Sequence, residues 1–288
     1  MPASLSSRTT AQVVCLAAAL ALAAGCGEAG RTDKVMEAKP MKTHVVHEGE
    51  RTVVEGVPVQ RGKNSVLSAL ASVLQAQGED VTYEYLMGVS SHAFRMQFSW
   101  CPSAPHSNCG FNTVGPALKA VGYTLADYPM RWPDKSRAGR EEADVARARE
   151  ALKRSIDAGR PAIAGSEESC ILVGYEPSAD GAAGLLVRAG KDGEYGEPMK
   201  ELPWGLAVLG AKSPPPLRRE SLLWSLRTAV ANAHAAELSS ANGAEGKVLR
   251  YPAGFVAWDK WIAELSDEKK LDWDTAKGRK RVSIGSRW

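Results

Sequence analysis

The chain has 288 residues, of which 44% are hydrophobic and 24% charged, and its formal net charge is +3. These proportions are ordinary for a globular protein, and the length allows one large domain or one domain with an appendage. The net charge is too small to indicate a nucleic-acid partner. One cluster of cations stands near the end, and a solvated basic tail or a lipid or nucleic-acid patch would both fit it: Lys277, Arg279, Lys280 and Arg281.

The first residues have the pattern of an export signal. Arg8 supplies a short positive region, and residues 13–24 form an apolar run that is too short for a spanning helix. The run ends in Leu22-Ala23-Ala24-Gly25-Cys26, which resembles the lipobox of bacterial lipoproteins. The resemblance implies a signal peptide over residues 1–25, cleavage before Cys26 and acylation of that cysteine. An ordinary secretory signal with a coincidental cysteine is the alternative.

The lipobox resemblance also implies a location. Two or three acyl chains anchor a protein stably where a single chain does not, so we expect a membrane-anchored protein of the cell envelope that faces the periplasm or the exterior. Gly27 follows the cysteine, where lipoproteins of the inner membrane often carry Asp, and this favours the outer membrane. Residues 26–50 are polar without an apolar period and are predicted to form a flexible tether.

Helices are predicted to come first in the domain. Residues 52–59 alternate loosely and predict a short edge strand. Asn64 or Ser65 then caps a helix whose apolar residues fall at helical spacing and which Gly78 closes. Three further helices are predicted over residues 82–88, 115–121 and 141–158.

Strands are predicted to follow. Short apolar runs of the buried-strand type occupy residues 161–164, 170–175, 185–188 and 206–209, and the second and third are expected to form a hairpin. No internal repeat is found. Helices followed by an antiparallel sheet indicate an α+β fold.

A stiff break at residues 213–216, Ser-Pro-Pro-Pro, is the predicted domain boundary. Two amphipathic helices are predicted beyond it, over residues 220–238 and 255–265. The first places Leu223, Leu226, Val230 and Ala233 on one face, and the second places Phe255, Trp258, Ile262 and Leu265 on one face.

Three motifs carry a resemblance to a known family: Tyr85-Leu-Met-Gly-Val-Ser-Ser-His-Ala-Phe-Arg95, Trp100-Cys-Pro-Ser103 and Glu168-Ser-Cys-Ile-Leu-Val-Gly-Tyr-Glu176. They resemble bacterial proteins related to the amino-terminal domain of butirosin-biosynthesis protein H. That group is in turn similar to the papain-like peptidases that process bacteriocin leaders. The resemblance covers about residues 57–265. It implies a papain-like domain over residues 51–212, with a helical appendage and basic tail over residues 217–288.

The papain-like pattern is broken at both catalytic positions. The family places a thiol at the start of the first core helix, where the helix dipole and an imidazolium favour the thiolate. It places a histidine at the start of a sheet strand. Here the helix start carries Asn64 and Ser65, and the strand start carries Cys170. We interpret Asn64 and Ser65 as a helix cap at a degenerate nucleophile position.

Cys170 has two interpretations. Glu167 and Glu168 precede it, and neighbouring carboxylates raise a thiol pKa, which favours a buried and inert cysteine. Alternatively Cys170 is a nucleophile or a ligand contact in the cleft. In that case the resemblance makes His92 its partner, because it implies that the turn holding His92 lies near the cleft.

Cys101 and Cys109 are seven residues apart in a chain that is expected to leave the cytosol, which favours a disulfide closing a small loop. The rival interpretation is zinc, with Cys101, His106 and Cys109 as ligands and Cys170 as a fourth. The spacing matches no strong zinc motif, so we predict no metal and no cofactor.

The sequence supports three hypotheses. The first is a lipid-anchored protein whose papain-like domain has lost the Cys–His pair and binds a peptide or an acylated group. The second is a thiol-dependent peptidase or acyltransferase that uses Cys170 with His92 or His106. The third is an envelope scaffold in which the cleft is filled. Neither catalytic position is chemically suitable, which favours the first hypothesis over the second.

Overall fold

A computed structural model describes residues 43–98, 111–130, 141–166, 168–177, 183–188, 195–199, 201–240 and 249–266. Within these ranges the chain forms six α-helices: α1 Ser65–Ala76, α2 Tyr83–Val89, α3 Val114–Val121, α4 Glu141–Asp157, α5 Arg218–His234 and α6 Gly254–Leu265. The same ranges hold ten strands: β1 His44–Glu48, β2 Arg51–Glu55, β3 Tyr123–Pro129, β4 Ala162–Gly165, β5 Ser169–Pro177, β6 Ala183–Arg188, β7 Tyr195–Pro198, β8 Gly205–Lys212, β9 Glu237–Ser240 and β10 Leu249–Pro252. A turn of 3-10 helix, His92–Phe94, follows α2.

Strands β1 to β8 form one sheet in the order β1-β2-β5-β4-β8-β3, with β6 on β5 and β7 on β6. Every pairing in it is antiparallel, and β9 and β10 form a separate antiparallel pair. Strand β5 pairs with β2, β4 and β6, and helices α1 and α4 both pack against β4 and β5. The predicted hairpin of β5 with β6 is confirmed, and so is the α+β class with an antiparallel sheet.

Helix α1 is the most deeply buried helix of this core. The Asn64 side chain accepts a hydrogen bond from the Leu67 backbone N–H at 2.9 Å and so caps the first turn, as predicted. Leu67, Leu70 and Leu74 recur at three- and four-residue spacing and are fully buried. Each such leucine stabilises the fold by about 1.5–3 kcal/mol relative to an exposed one.

Helix α3 ends where a glycine allows the chain to turn. Gly122 has φ of 78°, and its carbonyl accepts a hydrogen bond from the Ser213 backbone N–H at 2.7 Å. A side chain at Gly122 would overlap the Ser213 carbonyl oxygen, so the predicted stop has a packing reason as well as a conformational one. Strand β3 follows at once and pairs with β8. No sequence pattern predicted this strand.

The amino-terminal end of the domain requires two corrections. Residues 44–48, within the tether predicted over residues 26–50, form strand β1. The strand predicted over residues 52–59 is β2, and it lies between β1 and β5 instead of at an edge. The edge assignment was wrong because the pairing partner came from the polar segment. The signal peptide over residues 1–25 and the tether up to residue 42 lie outside the described residues.

The carboxyl-terminal helices belong to the same compact unit as the sheet. The Ser91 hydroxyl donates to the Ser225 carbonyl at 3.1 Å, and the Ser225 hydroxyl donates to the Gly88 carbonyl. These two bonds tie α5 to the end of α2 and the 3-10 turn. The break predicted at residues 213–216 therefore joins two elements of one unit. Helix α5 also ends at His234, earlier than predicted, because residues 237–240 form β9.

Helices α5 and α6 keep their predicted apolar spacing, and their apolar faces are exposed. Helix α5 buries Ser221, Ser225 and Asn232, while Leu226 and Val230 of the predicted face are exposed. Helix α6 buries Gly254 and Ala257 in the same manner. The predicted apolar faces therefore lie on the exposed sides of the two helices. Neither these helices nor any other in the described ranges is long and apolar enough to cross a bilayer.

Candidate functional site

The site begins at the amino-terminal end of α1. Because the Asn64 oxygen is used by the helix cap, the amide nitrogen must point the other way. It lies 3.0 Å from His92 Nε2 and donates to it. Asn64 and His92 are both buried. One asparagine therefore caps a helix and fixes the position of the histidine, and the sequence analysis foresaw only the first of these roles.

His92 lies between the starts of two helices. Its Nδ1 is 2.9 Å from the Thr113 hydroxyl, and Thr113 is the N-cap residue of α3. Since Nε2 accepts from Asn64, the ring proton is on Nδ1 and is donated to Thr113. Both ring nitrogens of the imidazole are therefore engaged in hydrogen bonds with residues at helix starts.

The 3-10 turn that carries His92 is held in an unusual backbone conformation. Ser91 has φ of 63°, which is uncommon for a residue other than glycine, and it is fully buried. The Ser90 hydroxyl accepts a hydrogen bond from the His92 backbone N–H at 3.3 Å. The Phe111 ring lies 6.2 Å from the imidazole, tilted by 56°. The Ser90 hydroxyl thus holds the backbone of the turn, and Phe111 lies beside the histidine ring.

The first residue of α1 meets the first residue of β5. The Ser65 hydroxyl oxygen accepts a hydrogen bond from the Ser169 backbone N–H at 3.0 Å. Cys170 comes next in β5 and pairs across the sheet with Ala164 of β4. The helix start and the strand start, which are the two segments where the sequence departs from the papain-like pattern, therefore lie together.

Cys170 is half-buried and its thiol is free. Burial raises the pKa of this thiol from its ordinary value of 9.0 to about 11. Desolvation by burial is the cause that the structure gives. Among the described residues no hydrogen bond joins the Cys170 sulfur to His92. The structure thus brings Asn64 together with His92 and Ser65 together with Ser169, and it leaves the Cys170 thiol protonated at neutral pH.

No known family, curated protein or solved structure matches this chain. The family resemblance of the three motifs therefore stays a prediction.

Several predicted positions lie outside the described residues: Cys26, Cys101, His106 and Cys109. The lipidation, the disulfide and the rival zinc site consequently stay predictions. Within the described part of the chain, no group of three or more His, Cys, Asp or Glu side chains is placed to hold a metal ion.

Three residues of the site were missed by the sequence analysis. Thr113 binds His92, Ser91 sets the backbone of the turn, and Ser169 binds Ser65. The only signal for Thr113 was its place before a predicted helix, where threonine usually caps. Here its side chain makes no cap bond. No sequence pattern distinguishes a threonine that caps from one that binds a distant histidine.

Proposed function

We propose that this is a lipid-anchored extracytoplasmic protein whose papain-like domain lacks a working Cys–His pair and acts by binding a peptide or an acylated group. The observation that carries the proposal is the placement of His92 between the caps of α1 and α3. A histidine whose two ring nitrogens are bonded to residues at two helix ends is a fixed structural element, and it cannot activate a nucleophile without losing those bonds.

Papain-like catalysis needs a thiolate at the helix start with an imidazolium beside it. The two side chains at the start of α1 are instead an amide and a hydroxyl. The amide is engaged by its own helix and by His92, and the hydroxyl of Ser65 accepts from the Ser169 backbone N–H. A serine needs a neighbouring base to become a nucleophile. The histidine at this end of α1, His92, binds Asn64 and Thr113 through its ring nitrogens.

Cys170 does not replace the missing thiol. A pKa near 11 leaves only a very small thiolate fraction at neutral pH, because each unit above the ambient pH lowers that fraction about tenfold. The group's position beside Ser169 nevertheless places it next to the meeting point of α1 and β5. This supports a binding surface at the old catalytic position, with Cys170 as part of its wall. The peptide or acylated ligand is inferred from the likeness to leader peptidases.

The test is the pH dependence of Cys170 alkylation by iodoacetamide, followed on the Cys170 peptide by mass spectrometry. In the native protein we expect a slow rate at pH 7 that rises through a midpoint near pH 11, and in urea a midpoint near the ordinary 9.0. The thiol is neutral in both states below pH 9, so its ionisation does not affect stability there. Above pH 9 it ionises more readily in the unfolded chain, so stability falls as the pH rises through the folded-state pKa of about 11.

A reduced cysteine peptide is the control for intrinsic thiol reactivity, and the Cys170→Ser protein is the blank. If native Cys170 reacts faster than the peptide at pH 7, the binding proposal fails. The thiol-dependent peptidase or acyltransferase then becomes the better account.

The anchor is tested separately, by growing bacteria that express the full chain with an alkyne analogue of palmitate. We expect the label on the wild-type protein and on Cys15→Ser, and none on Cys26→Ser. Label that persists in Cys26→Ser would show that the lipobox resemblance is coincidental.

A further inference from the structure

The exposed apolar side chains of this protein are concentrated on its last two helices. Fourteen large hydrophobic residues of the described chain are exposed, and eleven of them lie from Leu217 onward. Ten of these define what we call the outer face: Leu217, Leu222, Leu223, Leu226, Val230, Phe255, Val256, Trp258, Ile262 and Leu265. Single exposed apolar residues are common, but a concentration of this size marks an interaction surface.

The outer face is built from one stripe on each helix. Leu222, Leu226 and Val230 recur every four residues along α5, away from its buried serines. On α6 the residues Trp258 and Ile262 have the same spacing. The helices contact each other, and the Phe255 ring at the start of α6 packs edge-on against His234 at the end of α5, with centroids 5.6 Å apart.

The composition of the outer face is that of an interfacial helix, with Leu, Trp and Phe on one side and arginine beside them. Helix α5 carries Arg219 and Arg227, together with Arg218, whose guanidinium lies over the Tyr85 ring at 4.9 Å from the centroid. Its one acid is Glu220, whose carboxylate accepts from the Leu217 backbone N–H. On α6, Lys260 stands against Asp259 and Glu264. The cationic excess therefore lies on α5, where it complements anionic lipid headgroups.

The proposed anchor keeps the domain close to such headgroups. Sixteen residues, 27–42, separate Cys26 from the first described residue, Thr43. A chain of sixteen residues spans at most about 55 Å when fully extended. A surface held within that distance of a bilayer meets it at a high effective concentration, so a weak affinity suffices for contact.

We propose that the outer face of α5 and α6 docks on an anionic lipid bilayer, with Arg219 and Arg227 at the headgroups and the leucines, Phe255 and Trp258 at the acyl boundary. The closeness of this face to the bilayer rests on the proposed lipid anchor, whereas its composition is independent of that anchor. Docking would fix the orientation of the domain, because the inner side of α5 is bonded to Ser91 and Gly88 beside His92.

The experiment is co-flotation of the mature chain, residues 27–288 without acyl chains, with vesicles of phosphatidylethanolamine and phosphatidylglycerol. We expect the wild-type chain to float. Leu226→Glu and Ile262→Glu should each bind at least about tenfold more weakly, because each loses an aliphatic side chain that docking would bury in the bilayer. Leu202→Glu is the matched control, a leucine that is 39% exposed and lies outside these helices, compared with 53% for Leu226 and 59% for Ile262. It should float like the wild type. Leu226→Ser and Ile262→Ser repeat the test without added charge.

The proposal is overturned if the wild-type chain stays in solution, or if the Leu226 and Ile262 variants float as well as the Leu202 control. It is also overturned if sedimentation shows a dimer that Leu226→Glu and Ile262→Glu abolish, since the occupant is then a second copy. If the full chain takes up no palmitate label in cells but residues 27–288 float, the anchor is wrong and the docking surface stands. If the full chain is labelled but residues 27–288 do not float, the anchor stands and the docking surface is wrong.

Discussion

Helices α1 and α5 have the same spacing of apolar residues, but α1 buries those residues and α5 exposes them. Helix α1 buries Leu67, Leu70 and Leu74 against the sheet, whereas α5 buries Ser221, Ser225 and Asn232 and exposes its leucines. The difference lies in the neighbours. Strands β4 and β5 offer α1 an apolar surface, and the end of α2 offers α5 a carbonyl that a serine can reach. Periodicity therefore predicts an apolar stripe on a helix, and the elements packed against the helix determine whether that stripe is buried.

The sharpest test of this comparison is one substitution made in both helices. Leu70→Ala should lower the free energy of unfolding by about 2–5 kcal/mol, because a fully buried leucine leaves a cavity. Leu226→Ala should change it by no more than about 0.5 kcal/mol, because that side chain is exposed. Urea denaturation midpoints of the two variants measure the difference. Equal losses would mean that the outer face of α5 is buried after all.

A second test addresses the junction of α5 with α6. Gly254 has φ of 55°, and a side chain there would overlap the carbonyl oxygens of Asn232 and Ala233. Gly254→Ala should therefore cost about 2 kcal/mol or more. Gly88→Ala is the matched control, because its added carbon meets no atom within 4 Å and the position is helical. It should stabilise the protein by about 0.5–1 kcal/mol.

Thermal unfolding followed by circular dichroism compares these two glycine variants. A Gly254→Ala protein as stable as the Gly88→Ala protein would show that α6 is free to shift away from α5.

The third and smallest effect concerns the polar inner side of α5. Ser225→Ala removes the hydrogen bond to the Gly88 carbonyl and should cost about 1 kcal/mol. Ser239→Ala, at an exposed position of β9, should be neutral within about 0.5 kcal/mol. The same urea midpoints give both numbers. If Ser225→Ala is neutral too, the bond to Gly88 does not hold α5 in place and the contrast with α1 is smaller than the structure indicates.

Local signals predicted the helices well because their ends are decided locally. Asn64 caps α1 and Gly122 ends α3, as the sequence indicates, and each does so through its own side chain or backbone freedom. Strand β3 was missed because Tyr123–Pro129 is half-buried on both faces and includes Asp127 and a terminal proline, so it has neither alternation nor an apolar run. Strand β1 was missed because its pairing partner, and not its own composition, makes it a strand.

The candidate site was predictable only in its parts. The degenerate helix start and the cysteine at the strand start could be read directly, since both are properties of single positions. The contact of Asn64 with His92 spans 28 positions and that of Ser65 with Ser169 spans 104. Such contacts depend on the packing of α1 on β5, which no local pattern encodes. The raised pKa of Cys170 likewise depends on burial in the folded state, so the sequence suggested its direction but not the depth of burial that raises it.

The position of Thr113 also bears on the order in which the chain folds. Its hydroxyl binds His92, and the first turn of α3 is capped instead by the Asn112 side chain, which accepts from the Gly115 backbone N–H at 2.9 Å. A helix of eight residues is unstable in isolation. Helix α3 can therefore persist only after α1 and the 3-10 turn have assembled, which makes it a late structure in folding. Its amide protons should consequently exchange with solvent sooner than those of α1.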